Sequence, residues 1–111
     1  MNSPETVPGA ARVLVVDDEP DLRTLYELTL LREGHHVDAA GSLAEARERL
    51  ASGAFDVVIT DMRLPDGLGL ELLRDLATTQ RKERCIMITA YGSAENAVEA
   101  LKCGAFDYLT K

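Results

Sequence analysis

The chain has 111 residues, 46% of them hydrophobic, which is enough for one domain with a single buried core. Its 12 basic and 19 acidic side chains give a formal net charge of −7, which argues against direct nucleic-acid binding because proteins that bind phosphate backbones are basic. No apolar run is long enough to cross a membrane, and the N-terminus lacks the features of a secretory signal, so we expect a cytoplasmic domain without membrane contact.

Residues 1–11 are rich in Pro, Gly and Ala and have no periodicity, which predicts a disordered tail ahead of a single domain at 12–111. From Arg12 onward, short apolar runs alternate with longer amphipathic stretches. The runs predict buried strands at 13–16, 57–60, 86–89 and 108–110, and a weaker edge strand at 36–40.

Four helices are predicted between these strands from start and stop signals. The first helix begins at Pro20 and ends before Gly34, and the second begins with a capping box of Ser42 and Glu45 and ends at Gly53. The third spans residues 70–79, and the fourth begins after Ser93 and ends at Gly104. One face of the fourth helix is apolar and is predicted to be buried; it carries Ala94, Ala97, Val98 and Leu101.

The alternation of strands and helices implies a doubly wound parallel sheet with helices on both faces. Right-handed crossovers place the C-terminal ends of all strands at one edge, and ligands bind at that edge in open sheets of this kind. Five polar residues follow the predicted strands there: Asp17, Asp18, Asp61, Thr89 and Lys111.

The three carboxylates at this edge need a counter-charge. Two like charges about 4 Å apart repel by roughly 1 kcal/mol in water and roughly 4 kcal/mol near a protein surface. Oxygen ligands at this density suit Mg²⁺, with Asp17 and Asp18 as the metal-holding pair and Asp61 as a nucleophile that forms an aspartyl phosphate. Lys111 and Thr89 would then contact the phosphoryl oxygens.

Each of these residues also has an ordinary structural interpretation. Taken one at a time, they are a helix N-cap at Asp18, an Asx turn at Asp61, a strand residue at Thr89 and a solvated lysine at Lys111. All of them would then reach the ligand-binding edge by coincidence, so we prefer the joint functional interpretation.

At these positions the sequence resembles the receiver domain of bacterial response regulators, the phosphorylatable part of two-component signalling, and in particular the receivers of NtrC-type enhancer-binding regulators. The motifs that carry the resemblance are Val-Val-Asp-Asp-Glu-Pro (15–20), Ile-Thr-Asp-Met-Arg-Leu-Pro-Asp-Gly (59–67), Met-Ile-Thr-Ala-Tyr-Gly (87–92) and Gly-Ala-Phe-Asp-Tyr-Leu-Thr-Lys (104–111). The resemblance implies a flavodoxin-like (CheY-like) α/β fold, a doubly wound sheet of five parallel strands in the order 2-1-3-4-5.

By position, the resemblance makes Asp61 the phospho-acceptor, Asp18 the direct Mg²⁺ ligand and Asp17 a carboxylate that reaches the metal mainly through water. It adds the main-chain carbonyl of Arg63 to the metal ligands. The expected cofactor is therefore Mg²⁺, and the expected chemistry is phosphorylation and dephosphorylation of the chain's own aspartate rather than turnover of a substrate.

The resemblance also assigns Thr89 and Tyr108 to a conformational switch and Lys111 to the phosphate, although Tyr108 taken alone would be an ordinary strand aromatic. It implies a sensor histidine kinase as phosphate donor and an output face on the fourth helix and fifth strand. A second copy of the chain is a further expected partner, because apolar surface that a fifth helix would bury is predicted to be exposed. Receivers continue into a fifth helix, and NtrC-type regulators add an ATPase and a DNA-binding domain. We therefore expect a receiver without its fifth helix, taken from a longer transcription regulator.

Two other functions match part of the pattern. An aspartate-nucleophile phosphatase of the haloacid-dehalogenase type needs a second Asp two residues after the nucleophile, where this chain has Arg63. A flavodoxin-like cofactor domain needs a Gly-, Ser- or Thr-rich loop after the first strand, where this chain reads Asp-Asp-Glu-Pro and repels a phosphate. The residues at the predicted edge therefore disfavour both functions.

Overall fold

The computed structural model describes residues 9–89 and 94–110, and that part of the chain forms seven strands and four helices. The strands are β1 (Arg12–Val16), β2 (His36–Ala40), β3 (Val57–Asp61), β4 (Arg63–Leu64), β5 (Gly67–Leu68), β6 (Arg84–Thr89) and β7 (Asp107–Thr110). The helices are α1 (Pro20–Arg32), α2 (Leu43–Ser52), α3 (Gly69–Thr78) and α4 (Ala94–Lys102). Most of the predicted tail, with Ser93 and Lys111, lies outside the described residues.

The five longer strands form one parallel sheet in the order β2-β1-β3-β6-β7. This confirms the predicted order 2-1-3-4-5, because β6 and β7 are the fourth and fifth strands of that sheet. The remaining two strands pair antiparallel in a small separate hairpin that the sequence analysis did not predict. None of the helices in the described segments is both long and apolar enough to cross a membrane.

The sheet reverses its winding direction at β1, since β2 lies on one side of that strand and β3 on the other. With right-handed crossovers, this reversal places α1 on one face and the other three helices on the opposite face. The predicted doubly wound architecture is therefore present. It leaves a crevice between the ends of β1 and β3, the kind of position where open α/β sheets bind ligands.

The main core lies between one face of the sheet and helices α2, α3 and α4. Its larger members are Leu14, Val16, Val58, Cys85 and Met87 from the sheet and Leu43, Leu50, Leu72, Leu73 and Leu76 from the helices. Helix α1 has no buried residue, and Leu25, Leu28 and Leu31 are each more than half exposed. The strands close to the acidic edge are thus fixed mainly from the α2–α4 side.

The predicted burial of an apolar stripe on α4 is wrong for Val98 and Leu101, which are 49% and 53% exposed. Among the α4 side chains that the structure describes, which begin at residue 97, Ala100 packs into the core, and the side chain of Ala94 lies outside that set. At about 100° per residue, Val98 points about 160° away from Ala100 around the helix axis, so burying one exposes the other.

The predicted start and stop signals of the helices are largely confirmed. Ser42 Oγ accepts a hydrogen bond from the Glu45 amide at 3.2 Å, which caps α2 as the sequence predicts. The Glu45 side chain completes the cap by accepting from the Gly41 amide rather than from Ser42 itself. Gly34 and Gly104 follow α1 and α4 with φ of +90° and +104°, conformations that favour glycine at a helix end.

Candidate functional site

Two aspartates lie side by side where the sheet reverses direction. Asp61 ends β3, and Asp17 directly follows Val16, the last residue of β1. Strands β1 and β3 pair in parallel with Val16 opposite Thr60, so both aspartates leave the sheet at the same edge. The prediction that these two positions, distant in sequence, come together is confirmed by the strand register.

Three carboxylates form an acidic group at this edge. Oxygen atoms of Asp17, Glu19 and Asp61 all lie within 4.8 Å of one another. Asp17 and Asp61 are only 2% and 8% exposed, whereas Glu19 is at the surface. Asp18 is exposed and does not belong to this group, so its assignment as a direct metal ligand stays a prediction.

Glu19 is the member of this group to which the sequence analysis assigned no role. The signal that could have identified it is its position immediately after the two aspartates, where the chain turns from β1 into α1. It is the N-cap residue of α1, with an extended backbone and no side-chain capping hydrogen bond. The alternative interpretation of Asp18 as the helix N-cap is therefore not realised.

Both buried aspartates form Asx turns. Asp17 Oδ1 accepts from the Glu19 amide at 2.9 Å, and Asp61 Oδ1 accepts from the Arg63 amide at 3.3 Å. The structural interpretation of Asp61 as an Asx turn is thus realised together with its place in the acidic group. The two turns orient the carboxylates and fix the loops that follow β1 and β3.

The main chain of Asp61 is held by contacts with Thr60 and with the start of α3. The hydroxyl of Thr60, which is fully buried, donates to the Asp61 carbonyl oxygen at 3.0 Å. Gly69, the first residue of α3, lies directly against the same carbonyl, and its amide donates to the Met62 carbonyl at 2.7 Å. These contacts leave the end of β3 little freedom to shift relative to α3.

A basic side chain also reaches the acidic edge. Arg23, in the second turn of α1, donates from Nη1 to the main-chain carbonyl of Asp17 at 2.9 Å. This contact ties the beginning of α1 to the loop that follows β1. The sequence analysis did not identify Arg23, because this contact can be recognised only when the position of α1 relative to the end of β1 is known.

The predicted switch residues lie on the two strands beyond β3. Thr89 is completely buried at the end of β6, next to Ile88, which pairs with Asp61 across the sheet. Tyr108 on β7 is partly buried against the core, and its hydroxyl makes no hydrogen bond with any residue in the described ranges. Lys111, which is predicted to contact the phosphate, lies outside those ranges.

The hairpin of β4 and β5 follows Asp61 immediately and carries Arg63. At its tip, the two carboxylate oxygens of Asp66 accept from the amides of Leu43 and Ala44 at 2.8 and 3.0 Å. Both hydrogen bonds favour the charged carboxylate and hold the pKa of Asp66 below its ordinary value, and the Leu43 amide has the larger effect. The hairpin therefore connects the loop that follows Asp61 with the N-terminus of α2.

The donor set at this edge suits a divalent cation. Three carboxylates within 4.8 Å offer hard oxygen ligands, and two of them are largely withdrawn from water. Like charges this close repel one another, and a divalent cation bound among them would offset that repulsion. The residues present therefore have the chemistry to hold a metal ion.

Comparison with known proteins gives a consistent result. A family model described as the response regulator receiver domain matches residues 13–111. The response regulator protein PilR of Pseudomonas aeruginosa is 51% identical over 100 residues, which cover 90% of this chain and 22% of that protein. The chain thus spans about a fifth of the length of the curated relatives it matches.

Solved structures share the fold as well. A response regulator from Burkholderia pseudomallei, crystallised with a phosphorylated aspartic acid, a calcium ion and citrate, superposes with a TM-score of 0.84 at 32% identity, over 90% of this chain and 59% of that one. The response regulator TrrA of Thermotoga maritima, in complex with Mg²⁺ and BeF, gives a TM-score of 0.80 at 35% identity, over 90% of this chain and 85% of that one.

Proposed function

The chain belongs to the response regulator receiver domain family, and from that membership we propose that Asp61 accepts a phosphoryl group and that the domain switches conformation in response. The observation that carries the proposal is the position of Asp61. It is largely buried at the end of a central strand, beside Asp17 and Glu19 and at the point where the sheet reverses. A phosphorylated aspartate in the Burkholderia relative supports the same chemistry.

The reaction at this position is a phosphoryl transfer. A carboxylate oxygen of Asp61 forms a bond to phosphorus, and the bond from phosphorus to the histidine nitrogen of a kinase breaks, with the imidazole taking up a proton. Acetyl phosphate supplies the same group by breaking a phosphorus–oxygen bond and releasing acetate. Positioning and charge neutralisation account for most of the rate in such transfers, which suits a site with few catalytic side chains.

We propose Mg²⁺ as the cation. Asp61, Asp17, the Arg63 carbonyl and Asp18 would hold it, with Glu19 as a further carboxylate in the acidic group. When bound, Mg²⁺ supplies positive charge to these carboxylates and to the phosphoryl oxygens. The Mg²⁺ in the TrrA complex supports this choice.

Thr89 and Tyr108 are proposed to read the phosphorylation state, and Lys111 to pair with the phosphate. Phosphorylation adds about −1.5 to −2 charges at this edge, and a hydroxyl donor near the new oxygens will be drawn toward them. Ile88 on β6 pairs with Asp61, and Thr89 is the next residue of that strand. Tyr108 is on the adjoining strand, β7. Tyr108 pairs with Met87, which lies on the same face of β6 two residues before Thr89, so a displacement of Thr89 would reach Tyr108 diagonally across the two strands.

The test is phosphorylation of the purified chain with acetyl phosphate and Mg²⁺, followed by intact mass. We expect a gain of one phosphoryl group that chelator suppresses, and no gain in Asp61→Asn. Asp56→Asn is a matched control, because Asp56 is an exposed carboxylate before β3 whose side chain contacts the Arg12 amide. Equal labelling of wild type and Asp61→Asn would refute the proposal.

The partners follow from the same proposal. We infer that this domain is cytoplasmic, that a sensor histidine kinase is its natural phosphate donor, and that the longer protein has a transcription-activating output, as for the NtrC-type relatives. Neither the phosphatase nor the flavodoxin-like alternative is favoured, since residue 63 is Arg and the loop after β1 is acidic.

The surface of α4 and β7 is the proposed output face, and a second copy of the chain is its proposed partner. Val98 and Leu101 on α4 are each about half exposed there, which is a large apolar content for a helix surface. Light scattering before and after phosphorylation tests this proposal. We expect a higher mass for the phosphorylated chain, and a Leu101→Lys variant that stays at the mass of the unphosphorylated chain.

A further inference from the structure

We propose that Asp66 is a positioning residue of the acceptor site, holding the β4–β5 hairpin and its Arg63 carbonyl in place through hydrogen bonds to the N-terminus of α2. The inference rests on the proposed function, because the hairpin is the loop that follows Asp61 and contributes Arg63. It identifies a residue that touches neither the phosphate nor the metal but determines the geometry of the loop between them.

The tip of the hairpin is tied to α2 by more than one contact. Asp66 uses one carboxylate oxygen for the Leu43 amide and the other for the Ala44 amide. The next residue, Gly67, lies so close to the start of α2 that a Cβ would overlap the side chain of Leu43, and on its other side the Cβ would overlap Glu71 of α3. The hairpin tip and the start of α2 are therefore in direct packing contact, and the carboxylate fixes their relative position.

The base of the hairpin is closed as well. The Gly69 amide donates to the Met62 carbonyl at 2.7 Å, and the Leu68 amide donates to Glu71 Oε2 at 3.0 Å. Arg63 lies between this base and the Asp66 contact, paired with Leu68 across the hairpin. Because both ends of the hairpin are fixed, the main chain at Arg63 is held at a defined distance from the Asp61 carboxylate. That carboxylate accepts a hydrogen bond from the Arg63 amide.

Asp66 differs from the other residues that cap α2, because it connects this helix to a distant segment of the chain. Ser42 caps the Glu45 amide and Glu45 caps the Gly41 amide, and both of these contacts stay within the segment that begins α2. Asp66 reaches α2 from a point 23 residues further along the chain. A carboxylate is well suited to this contact, because the N-terminus of a helix attracts negative charge.

The experiment compares the wild-type chain with Asp66→Ala, Asp66→Asn and Ser42→Ala. Ser42→Ala is the matched control, because it removes a cap from the same helix end without touching the hairpin. Two measurements are made on each protein: the amide resonances of residues 62–69 in metal-free buffer, and the affinity for Mg²⁺ alone by calorimetry.

We expect Asp66→Ala to shift the Arg63 and Leu68 resonances and to weaken Mg²⁺ binding by about tenfold, as is common for residues that orient metal ligands. Asp66→Asn keeps one acceptor oxygen and should lie between Ala and wild type, while Ser42→Ala should match wild type in both measurements. Unchanged resonances and affinity in Asp66→Ala, or an equal loss in Ser42→Ala, would overturn the inference. A wild type that binds no Mg²⁺ would count against the proposed function instead, and the metal-free resonances would still decide the role of Asp66.

Discussion

The α-carbon of Gly69 lies against the main-chain carbonyl of Asp61, so close that a Cβ at position 69 would overlap the oxygen. The backbone of Gly69 does not have a positive φ, so the requirement for glycine is one of space rather than of backbone conformation. Helix α3 therefore begins in direct contact with the residue proposed to carry the phosphate, and the side chains of Met87 and Thr60 complete the contact.

Gly69→Ala should destabilise the chain by about 1–3 kcal/mol, because an added methyl in a closely packed position forces the backbone to move. It should also slow phosphorylation, since the backbone that moves is that of Asp61. Gly53→Ala is the control, because the nearest atom to a Cβ there is an Arg12 guanidinium nitrogen at 3.7 Å, an ordinary contact distance. Urea unfolding and acetyl-phosphate labelling measure both effects, and equal behaviour of the two variants would contradict the steric argument.

Thr89→Ala should leave Asp61 able to accept phosphate but weaken the response of Tyr108. The buried hydroxyl of Thr89 is the donor on β6 proposed to follow the phosphate, and the alanine has none. The ring resonances of Tyr108, compared before and after phosphorylation, measure the coupling. Thr79→Ala, at the distant end of α3, should respond as wild type. A full Tyr108 response in Thr89→Ala would show that the hydroxyl does not carry the signal.

Asp18→Asn should lower the affinity for Mg²⁺ by about tenfold or more, and Glu19→Gln by less. The family resemblance assigns the direct contact to Asp18, whereas the structure groups Glu19 with Asp17 and Asp61. Asp18 is exposed, so its side chain is not packed in a position that would hold it away from a bound ion. Calorimetric titration of both variants separates the assignments, and a larger loss in Glu19→Gln would favour the ligand set of the structure.

The contribution of Asp66 to stability should depend on pH. Its pKa is below the ordinary value of 3.8 because the amides of Leu43 and Ala44 bind the charged form. The stabilisation is therefore fully present above the pKa of the unfolded chain and is lost as the pH falls through the lower pKa of the folded chain. Urea unfolding of wild type and Asp66→Asn should show a stability difference at pH 7 that shrinks below about pH 4. A difference that does not change with pH would contradict this assignment.

Arg81→Ala should destabilise the fold by about 2 kcal/mol, because it leaves the buried carboxylate of Glu83 without its cation. Arg81 binds Glu83 and also donates to the Leu50 and Gly53 carbonyls, so it connects the end of α2 with the start of β6. Only 3% of the Glu83 side chain is exposed.

The control is Arg47→Ala, which breaks an exposed pair with Asp75 and should cost less than about 1 kcal/mol. Thermal unfolding in low and high salt gives both values. Equal losses in the two variants would show that burial of the Glu83 carboxylate does not matter.

The sheet and the identity of its acidic edge were predictable because each depends on short local patterns. A β-branched run indicates a buried strand wherever it occurs, and the residue after it must lie at the ligand-binding edge once the strands are parallel. Asp17 and Asp61 were found in this way. The Ser42 cap was predictable for the same reason, since its hydrogen bond spans only three residues.

The contacts that were missed join distant segments or very short ones. Strands β4 and β5 have two residues each, too few for any periodicity, and the hydrogen bonds of Asp66 close a gap of 23 residues. The tight contact of Gly69 with Asp61 depends on how α3 is placed over β3. The exposure of Val98 and Leu101 likewise depends on which side of α4 approaches the sheet, and an apolar stripe alone does not determine that side.

Asp17 and Asp61 are 44 positions apart in the chain and meet only because β1 and β3 are neighbours in the sheet. During synthesis, the first strand must therefore wait for the third before the two carboxylates can come together. The proposed phosphorylation of Asp61 thus requires a chain that has emerged at least as far as β3 and has formed the β1–β3 pairing. A chain without that pairing would lack the acidic group, however well its other elements had formed.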